Sequence, residues 1–372
     1  MYAQSQQPTN EPLPEIIVPN PPSDSISSLA YSPVSDVLTA CSWDGSIYIY
    51  SPSSPESHET MSLKTSIPNT NSSPILCSCF SNDGAFLYTG SADGKIRILD
   101  MSSGNLNELV GHSVGIGCMT FTASGFLVTG GWDKRLKVWD LMTSQTPIKE
   151  ILMDHKIFAL DSKDRSIVVG LSNNQLVTYD SHRFEKVKLP TISSSYRGGY
   201  GYKAPGQMSL NRSYESGSKY VPKINWQIRS ISCSNDGNVA LVSSIESKVD
   251  LVAVQPMEDT PNNYFYSFKC HKTDRVLYPV NKVMFHPIFQ TTVVTFGGDG
   301  SYTLWDRLAL TRLRTGGPQN DMSITTAAFD KTGRFMAYAI GYDWSKGFRA
   351  QIPVPVEIRI VSVPENVHKQ QP

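Results

Sequence analysis

The chain has 372 residues, of which 40% are hydrophobic and 18% charged, a balance typical of a folded soluble protein. Lys and Arg together number 33, as do Asp and Glu, so the formal net charge is zero. Nucleic-acid binding by bulk electrostatics usually needs a basic excess, and the composition therefore disfavours sequence-independent binding of RNA or DNA.

The amino-terminal residues do not resemble a targeting segment. Residues 1–14 form a polar extension rich in proline, and Met1–Asn10 lacks the charged start and apolar core of a signal peptide. No apolar run in the chain approaches the ~20 residues that a membrane-spanning helix needs. We therefore expect a reducing compartment, cytosolic or nuclear, and no contact with a membrane. The short run Glu15–Val18 reads as a β-strand.

A short turn that carries an acid recurs along the chain. In its clearest copy, Gly130–Asp140, the turn is Trp132-Asp133-Lys134 and the following strand ends on Trp139-Asp140. Asp suits such turns because its side chain bonds nearby backbone groups. Aligned copies place the turn residue at Asp44, Asp93, Asp133, Asn173, Glu246, Asp299 and Asp343, and a large apolar residue follows six positions later in the first six copies.

The spacing of these turns predicts the fold class. Successive turn residues lie 40 to 73 residues apart, and two short apolar strands precede each turn. A period near 40 residues with four strands per unit is typical of β-propeller blades. The largest spacing equals one period plus an insertion. The sequence therefore predicts an all-β propeller with seven blades.

Several motif residues resemble those of WD-repeat β-propellers. Trp139-Asp140, Tyr179-Asp180 and Trp305-Asp306 end strands, and Gly111-His112 precedes unit three. In that family a Trp, a Ser or Thr, a His and the turn Asp share hydrogen bonds inside a blade, so that buried polar groups satisfy one another. The resemblance implies two such structural networks, formed by His112, Thr129, Asp133 and Trp139, and by His271, Thr295, Asp299 and Trp305. The other five units depart from the pattern, and we expect packing alone to hold them.

The last unit needs a strand from the start of the chain. It supplies only three strands of its own, 324–329, 335–339 and 356–363. We predict that Glu15–Val18 adds the fourth and closes the ring, because a closed ring leaves no sheet edge open to aggregation. The propeller is then a single domain of residues 15–363, followed by a tail, 364–372.

Two segments predict irregular structure. Ser51–Ser73 is rich in Ser, Pro, Asn and Thr, which predicts a loose loop around the outer strand of blade one. Residues 186–225 form an insertion between blades four and five, and its stretch Ser193–Tyr202 has too few aliphatic side chains to offset the entropy of ordering. We expect a mobile arm there. The Arg and Tyr side chains around Arg197–Arg212 leave open a weak contact with single-stranded RNA by stacking.

The motifs give no enzyme, metal or cofactor site. Gly111–Gly115 fits the hydrolase pattern G-x-S-x-G, but that chemistry needs a strand-to-helix turn, and Cys118–Phe121 reads as a strand. The six Cys and seven His show no metal-ligand spacing, and the cysteines read as buried strand thiols. We expect a protein with no catalytic residues, no bound metal and no cofactor.

Trp43 and Trp132 are candidate partner-binding residues. Each precedes its turn Asp at the tip between the second and third strands of a unit, where unit two has Ala92 and unit six has Gly298. The fold therefore does not require Trp there, and an exposed aromatic side chain is a typical interface anchor. Packing of the two indoles against neighbouring loops is the alternative. All such tips lie on one face of a propeller.

Several stretches resemble one branch of the family more closely. Tyr266–Lys272, Leu277–Asn281 and Ser244–Val249 are similar to the core shared by the poly(A) RNA export factors and by their sister family, the mitotic-checkpoint kinetochore adaptors. Tyr342–Gly347 and Phe285–Pro287 resemble the export factors specifically.

This resemblance implies a non-catalytic adaptor that is itself monomeric, joins a hetero-complex at the nuclear pore, supports mRNA export and shuttles between nucleus and cytoplasm. Both sister families hold a GLEBS-type segment of a partner, which for the export factors is a nucleoporin. Trp43 and Trp132 match the aromatic anchors, and Lys248 stands where the family usually has an Arg facing partner glutamates. Lys offers a point charge instead of a bidentate fork, so weaker affinity or a changed partner is expected. A checkpoint role with a checkpoint kinase-like partner, and direct RNA binding, stay open as alternatives.

Overall fold

The computed structural model describes residues 13–54, 57–68, 73–187, 225–255, 266–318, 322–345, 347 and 355–365. These residues form 27 β-strands and no α-helix. Among these residues there is no helical segment that could span a membrane. The predicted mobile arm and its RNA contact lie outside the described residues, as do most of the amino-terminal extension and most of the carboxy-terminal tail.

The strands fall into seven sheets arranged in chain order. The first strand is β1 (Glu15–Ile17). Blade one contains β2 (Ile26–Tyr31), β3 (Leu38–Ser42), β4 (Ile47–Ser54) and β5 (Ser57–Ile67); blade two contains β6 (Ile75–Phe80), β7 (Phe86–Ser91), β8 (Lys95–Asp100) and β9 (Leu106–Val110). Blade three contains β10 (Ile116–Phe121), β11 (Leu127–Gly131), β12 (Arg135–Trp139) and β13 (Lys149–Leu152); blade four contains β14 (Ile157–Lys163), β15 (Ser166–Leu171) and β16 (Leu176–Asp180). Blade five contains β17 (Ile228–Cys233), β18 (Val239–Ser244), β19 (Lys248–Ala253) and β20 (Tyr266–Lys269). Blade six contains β21 (Val280–Phe285), β22 (Thr292–Gly297), β23 (Tyr302–Asp306) and β24 (Thr311–Gly316); blade seven contains β25 (Ser323–Phe329), β26 (Phe335–Gly341) and β27 (Glu357–Ser362).

The amino-terminal strand closes the ring, as predicted. β1 pairs antiparallel with β27, with Ile16 opposite Ile360, so blade seven has the strand order β1-β27-β26-β25. An ion pair of 3.1 Å between Arg359 and Glu15 adds a side-chain contact across this seam. The first strand of each blade contacts the first strand of the next blade around the whole ring, since β2 also contacts β25. The predicted seven-bladed, all-β propeller is therefore confirmed.

The hydrophobic core is divided among the contacts between neighbouring blades. Every residue of β3, β11, β15 and β18 is buried. Cys41 and Ile47 of blade one pack with Ile75, Leu87 and Leu99 of blade two, and comparable clusters join the other blades. Burial of one such aliphatic side chain contributes roughly 1.5–3 kcal/mol. Because the blades are fixed by these apolar contacts, the turns at their ends can carry polar and aromatic residues for other purposes.

Blades one and four depart from the expected pattern. The loose loop predicted over Ser51–Ser73 is wrong, because β4 and β5 pair antiparallel as far as Ser54 and Ser57. An outer strand exposes its side chains to water, so its polar composition resembles that of a loop. Blade four has only three strands among the described residues, together with a bridge between Tyr179 and Lys186.

Candidate functional site

Blade three contains a hydrogen-bonded network around the turn that carries Trp132. His112 Nδ1 lies 2.9 Å from Asp133 Oδ1, and His112 Nε2 lies 2.8 Å from Thr129 Oγ1. Trp139 Nε1 donates to the same hydroxyl oxygen at 2.9 Å. The four side chains satisfy one another, and they fix the conformation of the turn between β11 and β12.

Blade six contains the second network with the same geometry. His271 Nδ1 lies 3.0 Å from Asp299 Oδ1, His271 Nε2 lies 2.8 Å from Thr295 Oγ1, and Trp305 Nε1 donates to Thr295 at 3.0 Å. Ser301 Oγ lies a further 3.0 Å from His271 Nδ1. The eight network residues named from the sequence thus lie together in two groups of four.

Each network also needs a glycine that the sequence reasoning missed. A Cβ on Gly131 would lie 2.2 Å from His112 Nδ1, and a Cβ on Gly297 would lie 2.2 Å from His271 Nδ1. Both glycines stand two residues before the turn Asp, where units one, two and five have Ser. That shared position is a signal in the sequence that could have identified them.

Two buried histidines predict a dependence of stability on pH. Burial lowers the pKa of His112, although its hydrogen bond to Asp133 acts against this shift, and burial also lowers the pKa of His286. A histidine in the unfolded chain titrates near 6.5, so unfolding takes up protons below that pH. The free energy of unfolding therefore has its full value above about pH 6.5. Below that pH it falls, by up to about 1.4 kcal/mol per pH unit for each proton that unfolding takes up.

Urea unfolding at several values between about pH 5 and pH 8 measures this slope. His112→Asn should reduce the slope, whereas His155→Asn, at an exposed position, should leave it unchanged. A free energy of unfolding that stays constant or rises on acidification would contradict the assignment.

Blade two holds its turn acid with a buried arginine in place of the network. Arg97 is only 1% exposed, and its guanidinium lies 2.7 Å from Asp93 Oδ2 and 2.7 Å from Ser91 Oγ. Arg97 Nε also lies 3.5 Å from Glu108 Oε2. This ion-pair cluster joins strands β7, β8 and β9 at the end of the blade.

Blades one and seven also supply polar partners to their turn acids. Tyr48 Oη donates to Asp44 Oδ2 at 2.9 Å, and Ser323 Oγ donates to Asp343 Oδ2 at 2.8 Å. The expectation that packing alone holds these blades, and blade two, is therefore wrong. A partly buried carboxylate needs donors, and they come from whichever side chains reach the turn.

The two predicted tryptophans lie at one mouth of a central channel. The first strands of the seven blades line this channel, which has a volume of about 530 Å³. The side chains of Trp43 and Trp132 are 42% and 38% exposed and both line the channel. Their backbone N–H groups donate to Ser25 O at 3.0 Å and to Gly115 O at 2.9 Å, just before the first strand of the same blade.

Two aromatic residues of blade seven complete this mouth, and the sequence reasoning missed them. Tyr342 and Trp344 flank the turn acid Asp343, line the channel and lie 5.7 Å apart between ring centroids. Tyr342 occupies the position before the turn acid that Trp43 and Trp132 occupy in their blades, so the same alignment could have identified it. We call Trp43, Trp132, Tyr342 and Trp344 the aromatic rim.

A cation from blade five faces the same channel. Arg229 is exposed there, and its Nε and Nη2 donate to Asn281 Oδ1 at 3.2 and 3.0 Å. Asn281 Nδ2 donates in turn to Ser323 Oγ and to Ile324 O, both at 2.9 Å. Blades six and seven therefore hold the guanidinium in place.

Lys248, the cation predicted from the resemblance, follows the turn residue Glu246 at the tip of blade five. It is half-buried at the start of β19 and is not one of the described residues that line the channel. The structure therefore brings Arg229, and not Lys248, to the channel beside Trp43 and Trp132.

Lys282 is a charged residue of the channel lining, and Asp161 lies near it. Burial lowers the pKa of Lys282, while the nearby charge of Asp161 acts in the opposite direction. Burial raises the pKa of Asp161, whose carboxylate accepts a hydrogen bond of 2.7 Å from the Cys233 N–H. The same lining also contains apolar side chains such as Leu76, Phe158 and Ile231.

Three features of the described residues bear on metal binding and catalysis. In this part of the chain no group of three His, Cys, Asp or Glu side chains could hold a metal ion. Burial raises the pKa of Cys41 and of Cys118 to about 12, which keeps both thiols protonated and unreactive. Ser113 of the G-x-S-x-G pattern precedes strand β10, so the strand-to-helix turn of a hydrolase does not form here.

Comparison with known proteins places relatives on both sides of one family. The family WD domain, G-beta repeat, matches residues 16–51, 61–100 and 104–140. The chain is 29% identical to the poly(A)+ RNA export protein of Schizosaccharomyces pombe, over 96% of this chain and 93% of that protein. It is 30% identical to Protein Rae1 of Drosophila melanogaster, over 89% and 88%. It is 31% identical to the spindle assembly checkpoint protein bub3 of S. pombe, over 85% and 88%.

Proposed function

Because the chain belongs to the WD-repeat family that contains the Rae1 export proteins and their bub3 sisters, we propose that it is a non-catalytic mRNA export adaptor that binds a GLEBS-type segment of a nucleoporin. The segment lies across the channel mouth. The adaptor acts at the nuclear pore, as a single propeller within a hetero-complex, and shuttles between nucleus and cytoplasm.

The observation that carries this proposal is the combination of the aromatic rim with an exposed cation at one channel mouth. Exposed, preformed aromatic side chains are the usual anchors of an interface. Trp43, Trp132 and Trp344 are each between 38% and 45% exposed, and Arg229 faces the same space. A segment with apolar and acidic side chains is complementary to that surface, and the rigid ring lowers the entropic cost of ordering it.

The resemblance predicts that partner glutamates face a cation on this surface. Lys248 was named for that role, but its place outside the channel lining favours Arg229 as the cation that partner carboxylates meet at the mouth. A guanidinium can bind a carboxylate through two parallel N–H donors, which an ammonium group does not offer. We therefore assign the main charge contact to Arg229 and a minor one to Lys248.

Arg229→Gln should weaken binding of a synthetic GLEBS-type nucleoporin peptide by about 10-fold, which corresponds to one charge-assisted hydrogen-bond pair. Isothermal titration calorimetry at about 0.15 M salt measures the dissociation constant. Arg183→Gln is the matched control, because Arg183 is an exposed arginine in the loop after β16 and is not one of the described residues that line the channel.

Equal affinity of the Arg229→Gln variant and the unmodified protein would reject Arg229 as the partner contact. Failure of the unmodified protein to bind any nucleoporin peptide of this type would reject the proposed function itself.

A checkpoint role is the second candidate, and the 31% identity to the bub3 protein supports it. The same mouth would then hold a segment of a checkpoint kinase-like protein. Localisation of the tagged protein in dividing cells separates the two roles. Signal at the nuclear rim supports export, whereas signal at unattached kinetochores supports the checkpoint.

A further inference from the structure

The indole ring of Trp132 lies directly over two glycines of its own blade. A Cβ on Gly117 would lie 2.6 Å from Trp132 Nε1, and a Cβ on Gly115 would lie 2.9 Å from Trp132 Cε3. Non-bonded atoms essentially never approach a real Cβ so closely, so the ring occupies space that any side chain at either position would need. Gly115 is also the last residue of the G-x-S-x-G pattern, which is followed by strand β10 and not by a helix.

Neither glycine is required by the backbone. Both have ordinary negative or extended φ angles, since neither belongs to the glycines with positive φ. Replacing them with Ala therefore introduces no backbone strain, and the absence of a side chain calls for another explanation. The space taken by the Trp132 ring supplies it.

Blade one lacks this arrangement at the equivalent positions. Ser25 and Ser27 stand where blade three has Gly115 and Gly117, and the Ser27 hydroxyl donates to Cys41 O at 3.0 Å. The backbone contact of the tip is the same in both blades, from Trp43 N–H to Ser25 O and from Trp132 N–H to Gly115 O. With a Cβ at both positions, the indole of Trp43 cannot lie as the indole of Trp132 does.

We propose that Gly115 and Gly117 provide a backbone surface without side chains, on which the Trp132 indole lies flat. This contact leaves the outer face of the ring available to the partner segment. The two glycines are positioning residues, and this role rests on the proposed function only as far as the partner is concerned. One ring face and one edge pack on backbone, so little rotamer freedom remains to be lost on binding. A flat indole face is suited to stacking against an aromatic or other planar side chain of the segment.

Gly117→Ala should displace the ring and weaken binding of the synthetic GLEBS-type nucleoporin peptide by about 10-fold, because the ring is no longer preorganised. Fluorine NMR of protein labelled with 5-fluorotryptophan gives one signal for each of the six tryptophans, and Trp132→Phe assigns the signal of Trp132. We expect Gly117→Ala to shift that signal and leave the other five in place. Calorimetry then measures the affinity of the same variant.

Gly341→Ala is the matched control, because its added Cβ meets only ordinary contacts of 3.5 Å or more and its φ is not positive. It should change neither the Trp132 signal nor the affinity. In a Trp132→Ala background, Gly117→Ala should no longer reduce affinity, since the ring it displaces is gone.

An unshifted Trp132 signal in the Gly117→Ala variant overturns the proposal that the two glycines hold the ring in place. A shifted signal with unchanged peptide affinity, or an equal loss of affinity in the Trp132→Ala background, overturns their role in binding. If the unmodified protein does not bind the peptide, the proposed function fails, whereas the fluorine signal still decides whether the glycines orient the ring.

Discussion

Asp93→Asn is expected to lower the free energy of unfolding by about 3 kcal/mol, because it leaves the buried guanidinium of Arg97 without its principal anion. The substitution keeps the size of the side chain and an oxygen that can still accept the hydrogen bond of 3.0 Å from the Lys95 N–H. The turn is therefore preserved, while the change removes the charge and puts an amide N–H2 group in place of the oxygen that accepts from Arg97 Nη2. Glu108 is 3.5 Å from Arg97 Nε and is partly exposed, so it compensates only weakly.

The effect should be reversible by removing the cation as well. Arg97→Met combined with Asp93→Asn replaces the ion pair with a side chain of similar length, and buried pairs replaced in this way often lose little or no stability. We expect the double variant to recover most of the loss, as measured by urea unfolding.

Lys95→Met serves as the surface control for the same strand. Lys95 pairs with Glu108 at the surface, with side-chain exposures of 29% and 43%, and exposed pairs are worth only about 0–1 kcal/mol. Should Asp93→Asn cost no more than Lys95→Met, then Arg97 is satisfied by its other neighbours and the ion pair does not hold blade two.

The sequence predicts those parts of this fold that depend on local pattern. The strands are short, and their residues either alternate between polar and apolar or are apolar throughout. The turns carry an acid at a fixed position between the second and third strands, and both signals repeat in successive blades. The closing strand Glu15–Ile17 was predictable because unit seven visibly lacked a strand. The strand Ser57–Ile67 was not, because an outer strand is held by backbone hydrogen bonds to β4 and needs no apolar alternation.

The features that could not be predicted depend on contacts between blades or between distant strands. Arg97 reads as an exposed charge in Lys95–Asp100, and only the pairing of β7, β8 and β9 shows that it is buried. Arg229 comes to the channel mouth because Asn281, from the next blade, binds its guanidinium. The contact of the Trp132 ring with Gly115 and Gly117 depends on where the ring lies in space, and residue spacing does not indicate the position of a ring.

Trp132→Ala is expected to weaken binding of the nucleoporin peptide by at least about 30-fold, or about 2 kcal/mol, as loss of an anchor residue should. Its indole packs on Gly115 and Gly117 from below, and the outer face is already partly free of protein contacts before the partner arrives. Binding therefore buries a rigid aromatic surface at little cost in side-chain entropy. The expected loss exceeds that of Gly117→Ala, which moves the ring without removing it.

Trp226→Ala is the matched control for this prediction. Trp226 is 61% exposed, more than Trp132, yet it is not one of the described residues that line the channel. If exposure alone made an anchor, Trp226→Ala would reduce affinity more than Trp132→Ala, whereas position at the channel mouth predicts the reverse order. The free energy of unfolding of both variants should lie within about 1 kcal/mol of that of the unmodified protein, because neither indole belongs to the core. Calorimetry that finds the two variants equal, or finds the Trp132→Ala variant unchanged, removes the anchor role and leaves the channel mouth without its principal contact.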